Sequence, residues 1–472
     1  MITMLAAVAA VIAAQPGDAY SDQTETTATP PTTAVPQRPA ILYNRWQEDW
    51  SVLADPALRT EPLDALKYIP LDPADPKTYL SLGASLRERF ETNQAPLFGV
   101  VAGRGDSYVI SRLEAYGDLR VGPIQAFVEL QSDFAPGKKF KSPADSDRLD
   151  LEQGFVAFSQ AVGPGTLKLR VGRQQFSFDL QRFASARDGP NVRQSFDAIW
   201  GDYEVGRWRL IGYYTRPVIN RDIRPFDDYS SDANRFYGVR IERHVLSTNE
   251  LSAYWSRFTN DAANFASVSG RERRDVFDGR FAGAKSAVDW DAEAMLQTGR
   301  VGQDRIRAWA LGSRLGYTFT PVAWTPRIGI QSDAASGDKH PNDRTLQTFN
   351  PLFPNGNYLA LAGYTGYVNF VHIKPSITVH PTPGLTLMGA VAAQWRETRG
   401  DAVYVQPSIA VPHTAGVGSL WTGAYGQFRA DWKVTANLTA AIEAVHFAVG
   451  DTVRAAGGHD ANYLGVEMKY AW

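Results

Sequence analysis

The chain has 472 residues, 44% of them apolar and 12% aromatic, with 40 glycines and no cysteine. No disulfide, Cys-ligated zinc site or thiol nucleophile is therefore available. With 48 basic and 50 acidic residues the formal net charge is −2, so no bulk field draws the chain to nucleic acid and any electrostatic selectivity must come from arrangement.

Met1–Ala14 is apolar and too short to span a bilayer as a helix, and small residues follow it. It reads as the apolar part of a secretory signal peptide, expected over residues 1–19, although a positive n-region is missing. Residues 20–40 are rich in Thr and Pro and read as a disordered linker. Residues 41–77 carry five prolines with Trp46, Trp50, Leu53 and Leu66. That is too little for an independent core, so the expectation is a plug or a periplasmic segment packed on a larger body.

From Thr78 onward the polarity alternates with period two, in runs of about ten residues bounded by Gly, Pro, Asn or Asp. Leu80, Leu82 and Leu86 oppose Ser81, Ser85, Arg87 and Arg89; Val288, Trp290, Ala292 and Ala294 oppose Asp289, Asp291 and Glu293. Soluble sandwiches alternate too, but tight turns such as Val121-Gly122-Pro123 here alternate with long ones such as residues 334–358 and 400–416. Tyr and Trp recur near strand ends (Trp208, Tyr213, Tyr214, Trp309, Tyr317, Trp324), as interfacial girdles would, and the last strand ends on Trp472. These features predict an all-β, antiparallel transmembrane β-barrel of about eighteen strands over residues 78–472, with short periplasmic turns and long outer loops. The expected site is the bacterial outer membrane, with lipid and the outer-membrane barrel assembly machinery as partners.

Catalytic readings find little support. The seven histidines form no HExxH or His-x-His pair, and Gly-x-Ser-x-Gly and phosphate-loop motifs are absent. No enzyme activity, cofactor or metal is expected. The polar-phase arginines are the stronger signal: Arg87, Arg89, Arg112, Arg170, Arg240, Arg280, Arg314, Arg327 and Arg396, joined by Arg182, Arg187 and Arg193 in the loop after the expected strand 166–175. Guanidinium groups match carboxylates through planar, paired hydrogen bonds, and a row of them would ease passage of an anion provided binding stays weak. The acidic residues Glu114, Asp118, Glu129, Asp188 and Glu293 are the expected ion-pair partners. The competing reading of the same residues is a set of ion pairs that only brace the wall.

Several runs resemble the alginate-export family of outer-membrane porins. They are YNRWQEDWSVLADPALRTEPLDALKYIPL from Tyr43, GRQQFSFDLQRFASARDGPNVRQSFD from Gly172, DAASGDKHPNDRTLQTFNPLFPNGNY from Asp333 and WRETRGDAVY from Trp395. The resemblance implies a monomeric eighteen-stranded barrel with an arginine-lined constriction, gated by inward loops, through which an acidic polysaccharide leaves the cell. It implies Arg87, Arg89, Arg112, Arg170, Arg187, Arg193 and Arg396 as constriction residues, gating loops around 177–194 and 334–358, and a possible periplasmic export partner. Uptake of small organic acids through the same barrel is the alternative, and a barrel enzyme or adhesin the third.

Overall fold

The computed structural model describes residues 38–101, 105–245 and 249–472. The expected signal peptide, and all but the last three residues of the expected linker, lie outside the described residues.

Among the described residues, eighteen long antiparallel strands, with three two-residue strands added to them, form one sheet. They are β1 (Tyr79–Asn93), β2 (Asp106–Val121), β3 (Ile124–Phe134), β4 (Asp147–Val162), β5 (Gly165–Gln174) and β6 (Phe196–Val205). There follow β7 (Trp208–Ile219), β8 (Asn234–Val245), β9 (Asn249–Asn264), β10 (Ser269–Lys285), β11 (Val288–Val301) and β12 (Asp304–Thr318). The last six are β13 (Arg327–Ala335), β14 (Phe370–Thr382), β15 (Leu385–Trp395), β16 (Trp421–Lys433), β17 (Leu438–Val449) and β18 (Ala461–Ala471). Each pairs with the next, and β1 pairs antiparallel with β18 from Ser85↔Ala471 to Asn93↔Tyr463. The sheet is thereby closed, and no barrel edge is left to face lipid with unpaired amides.

The period-two pattern becomes two faces. Along β1, Leu82, Leu86 and Phe90 are exposed outward while Ser81, Ser85, Arg87 and Arg89 are buried inward. Leu113, Ile199, Leu251, Leu296, Ile377 and Val466 continue the outward apolar band around the wall. So large a contiguous apolar surface belongs in lipid, not water. Trp208, Tyr214, Tyr317 and Trp324 are exposed on this surface, as girdle residues are. Tyr213 departs from that expectation. It is buried in the lumen against Trp200 and Phe236, because its neighbour Tyr214 occupies the outward phase.

At one end the turns are tight: Gly122 and Gly206, at φ 54 and 60, take the left-handed conformation that two-residue hairpins need. At the other end the connections are long. Loop 2 (135–146), loop 3 (175–195), loop 4 (220–233), loop 7 (336–369) and loop 8 (396–420) all belong to this end.

Residues 41–77 pack at the short-turn end and reach into the lumen. Arg45 donates to the Tyr116 hydroxyl (3.3 Å) and the Trp472 carbonyl (2.6 Å). Trp46 meets the Phe155 ring edge-on at 5.8 Å, and Trp50, Leu53, Tyr68 and Tyr79 form a small buried cluster.

Candidate functional site: the barrel lumen

Loop 3 folds inward because its sequence alternates aromatic and charged anchors. Phe176, Phe178 and Phe183 enter a core with Phe196, Trp200, Tyr213, Phe236, Tyr254 and Phe258 on the wall and Phe353 from loop 7. Each such ring removed from water contributes about 1.5–3 kcal/mol. Loops 3 and 7 also join through their backbones: Phe353 N–H donates to the Phe183 carbonyl and Asn355 N–H to the Gln181 carbonyl, both at 2.9 Å. A second apolar core, with Phe98, Tyr364, Val405, Tyr425 and Phe447, is built from loops 7 and 8, the β1–β2 connection and the facing strands.

Charge then clasps loop 3 to the wall in both directions. The loop carboxylate Asp179 accepts from Arg240 (2.6 and 2.7 Å) and from Arg280 (2.8 Å). Burial opposes its ionisation, but Arg240 and Arg280 outweigh that and hold it down at about 2. Asp188 accepts from Arg112 (2.5 Å) and Arg193 (3.0 Å). Conversely, the loop guanidinium of Arg182 meets Asp291 (2.8 Å), the Tyr358 hydroxyl (2.6 Å) and Glu293. Arg193 meets Glu114 at 2.8 Å and stacks on Tyr43 at 4.3 Å. Arg187 has the Leu352 carbonyl (2.9 Å) and the Phe353 ring (5.5 Å); burial pushes its guanidinium down to about 10.

The remaining expected arginines fall in different places. Arg87 pairs with Glu467 (2.8 Å), and Arg89 with Glu91 (2.7 Å) and Glu443. Arg170 lies over the Trp46 ring at 4.2 Å and donates to Gln174. Arg396 leaves β15 and donates to the carbonyls of Asp401, Thr414, Val417 and Ser419, all in its own loop 8. Of the acidic residues, Asp118 takes Arg120 (3.0 Å), while Glu129 takes the Gln153 amide (3.0 Å) and lies 3.9 Å from Arg193. Asp179, Asp278 and Glu293 offer carboxylate oxygens within 4.8 Å of one another, but Arg240, Arg280 and Arg182 already supply the cations there.

Open space remains beside these residues. A small cavity of ≈ 20 Å³ separates Asn44 and Trp46 from Gln175–Phe178, Arg209 and Glu242. A larger one of ≈ 90 Å³ is lined by Arg314, Arg327, Gln331, Lys374, Ser376, Thr378, His380 and Gln427. Its lining carries three cationic side chains and no carboxylate. Arg314 also lies over the Tyr358 ring (4.7 Å), Arg327 pairs with Asp289 (2.5 Å), and Lys374 donates to the Leu359 carbonyl (2.6 Å). Lys374 and His380 were not among the residues singled out from the sequence. Lys374 stands on the inward phase of β14, between the outward Ile373 and Ile377, so the alternation that found the arginines could also have found it.

The barrel matches solved outer-membrane channels. OccAB1 of Acinetobacter baumannii superposes with a TM-score of 0.56 at 10% identity, over 87% of this chain and 99% of that one. Pseudomonas aeruginosa OccK9 gives 0.55 at 13%, over 83% and 98%. OccK2 of P. aeruginosa, solved in complex with glucuronate, gives 0.53 at 11%, over 83% and 98%. These likenesses concern the fold. No curated protein sequence matches the chain. The family model described as alginate export matches residues 78–467, the whole barrel save its last strand's end, and the chain is therefore a member of the alginate export family of outer-membrane β-barrel porins.

Proposed function

We propose that this barrel is an anion-conducting channel for carboxylated saccharide, and that in the cell an acidic, alginate-like polysaccharide leaves through it. One observation carries the reading: among the described residues, a polar cavity of the lumen is lined by Arg314, Arg327 and Lys374 and by no carboxylate. Planar guanidinium groups recognise carboxylates, while a lysine adds a mobile point charge. Spread over β12, β13 and β14, they form several weak contacts rather than one tight site, as conduction requires. Passage needs no bond chemistry, so the protein acts as a channel and not as an enzyme. The N-terminal segment 41–77 serves as a plug at the periplasmic end.

A second reading, entry of small organic acids, is favoured by a specific feature. Loops 3 and 7 are joined across the lumen, an arrangement that suits small solutes rather than a continuous polymer. Support for a uronate in either case comes from OccK2, whose structure holds glucuronate.

Planar-bilayer recording of the purified protein tests the proposal. Anion selectivity that a polyuronate blocks from one side supports export; anion selectivity blocked by glucuronate and indifferent to the polymer supports uptake of small acids. A cation-selective channel would falsify both.

A further inference from the structure

Three carboxylates converge at the long-loop mouth, away from the cationic cavity. Asp147 and Asp150 stand at the start of β4, and Asp228 belongs to loop 4; each offers a carboxylate oxygen within 4.8 Å of the other two. Asp147 and Asp150 are only 4% and 5% exposed. The groups that serve them are few. Asp150 accepts the Leu151 N–H (2.7 Å) and the Asp228 N–H (3.0 Å), and Asp228 accepts the Arg221 N–H (2.6 Å). Asp147 Oδ1 is buried with no hydrogen-bond donor. The nearest guanidinium, Arg173, stays 3.8 Å from Asp150 and is engaged with Asp197 at 3.0 Å.

Ionising two buried carboxylates and a half-buried third together, with one distant cation, is costly. The Asp179, Asp278 and Glu293 cluster shows the contrast, for there three arginines close in. We propose that Asp147, Asp150 and Asp228 bind a calcium ion. The ligands are hard oxygens, the spacing matches a shell whose opposite oxygens lie about 4.8 Å apart around bonds of about 2.4 Å, and magnesium would keep its waters rather than accept three carboxylates. The expectation from sequence was that the chain holds no metal. The three aspartates are up to 81 residues apart (147 to 228) and follow no ligand spacing, so only the packing of loop 4 on β4 brings them together.

The ion would fasten loop 4 beside the inward loop. Phe226 N–H already donates to the Leu149 carbonyl (2.9 Å), and the Gln194 side chain of loop 3 donates to the Val218 carbonyl (3.2 Å). Calcium thus stiffens the mouth next to the loop that fills the lumen.

Terbium luminescence of the intact protein in detergent tests this, since Tyr229 adjoins Asp228 and can sensitise the lanthanide. The expected result is one terbium site, displaced by calcium at about 10⁻⁴–10⁻³ M. Asp228→Asn and Asp147→Asn should each weaken it at least about tenfold, and calcium should slow tryptic cleavage after Arg221. Asp228 lies in a loop, so its variant should keep the heat-modifiable gel mobility of a closed barrel. Terbium emission equal in wild type and both variants, or displacement by magnesium as readily as by calcium, would overturn the proposal. Because the readout is metal binding, it is independent of which solute the channel passes.

Discussion

Arg87 and Arg112 face each other directly across β1 and β2, a like-charge pair that by itself destabilises a sheet. The backbone and side chain of Asp188 separate them: its carbonyl accepts from Arg87 at 3.1 Å and from Arg112 at 3.2 Å, and its carboxylate accepts from Arg112 at 2.5 Å. Burial opposes ionisation of Asp188, yet Arg193, Arg112 and Arg87 hold its carboxyl well below the usual range. The wall is therefore built to need the loop, and the loop's position follows from the register of two strands.

Asp188→Asn should loosen loop 3. Removing one partner of a buried ion pair costs about 3–5 kcal/mol, here by leaving Arg112 and Arg193 with reduced compensation. The variant should unfold at lower denaturant and show larger, noisier conductance in single-channel records. Wild-type noise and midpoint would show that the clasp does not control the loop.

Selectivity should separate from bracing. Arg327→Ala combined with Lys374→Ala should move the reversal potential toward cations, because both line the cavity that carries no carboxylate. Arg396→Ala should leave the reversal potential unchanged while exposing loop 8 to protease, since its guanidinium serves loop 8 carbonyls. The same shift from the double variant and from Arg396→Ala would contradict this division.

The joint between the inward loops should behave as a packed core. Phe353 meets Phe196, Phe236 and Phe258, and truncating a buried Phe to Ala costs about 3–5 kcal/mol. Phe353→Ala should therefore lengthen open dwell times more than any single surface change in loop 7, as measured in lipid bilayers.

Docking of the N-terminal segment should strengthen with pH. Lys67 is fully buried, its ammonium donating to the Tyr116 hydroxyl at 2.6 Å, and burial, aided by Arg45, brings it down to about 7 from 10.5. A base with a depressed folded value costs the docked state most below that value, where both states are charged. The cost fades as pH rises from about 7 to about 10.5, so stability increases across that window. Protease protection of residues 41–77 should be greater near pH 9.5 than near pH 6.5, and Lys67→Met should flatten the dependence. Protection that falls with pH in the wild type would refute it.

The eighteen strands are legible in the sequence because lipid and lumen impose opposite polarities on adjacent residues, so a period of two survives in each segment without any partner being known. β14 shows how far this reaches: Phe370, His372 and Lys374 point in, while Ile373 and Ile377 point out. The inward aromatic core was not legible. Phe176, Phe178 and Phe183 lie in a charged loop, and their partners Phe236 and Phe353 are 53 residues or more beyond Phe183 (183 to 236). Tyr213 misled for a related reason, since a ring near a strand end suits an interface or a core equally well.

The sequence by itself determined that this chain closes into a membrane barrel with arginines and carboxylates on its inner face. That is a local matter, decided residue by residue by which solvent each side chain meets. Which arginines only brace the wall and which, though paired, also line open space was decided only by tertiary structure. A guanidinium's partner depends on loops brought across the lumen from far along the chain. Loop 3 takes up Arg112, Arg240 and Arg280 through Asp188 and Asp179, and the cavity that stays open lies instead beside Arg314, Arg327 and Lys374.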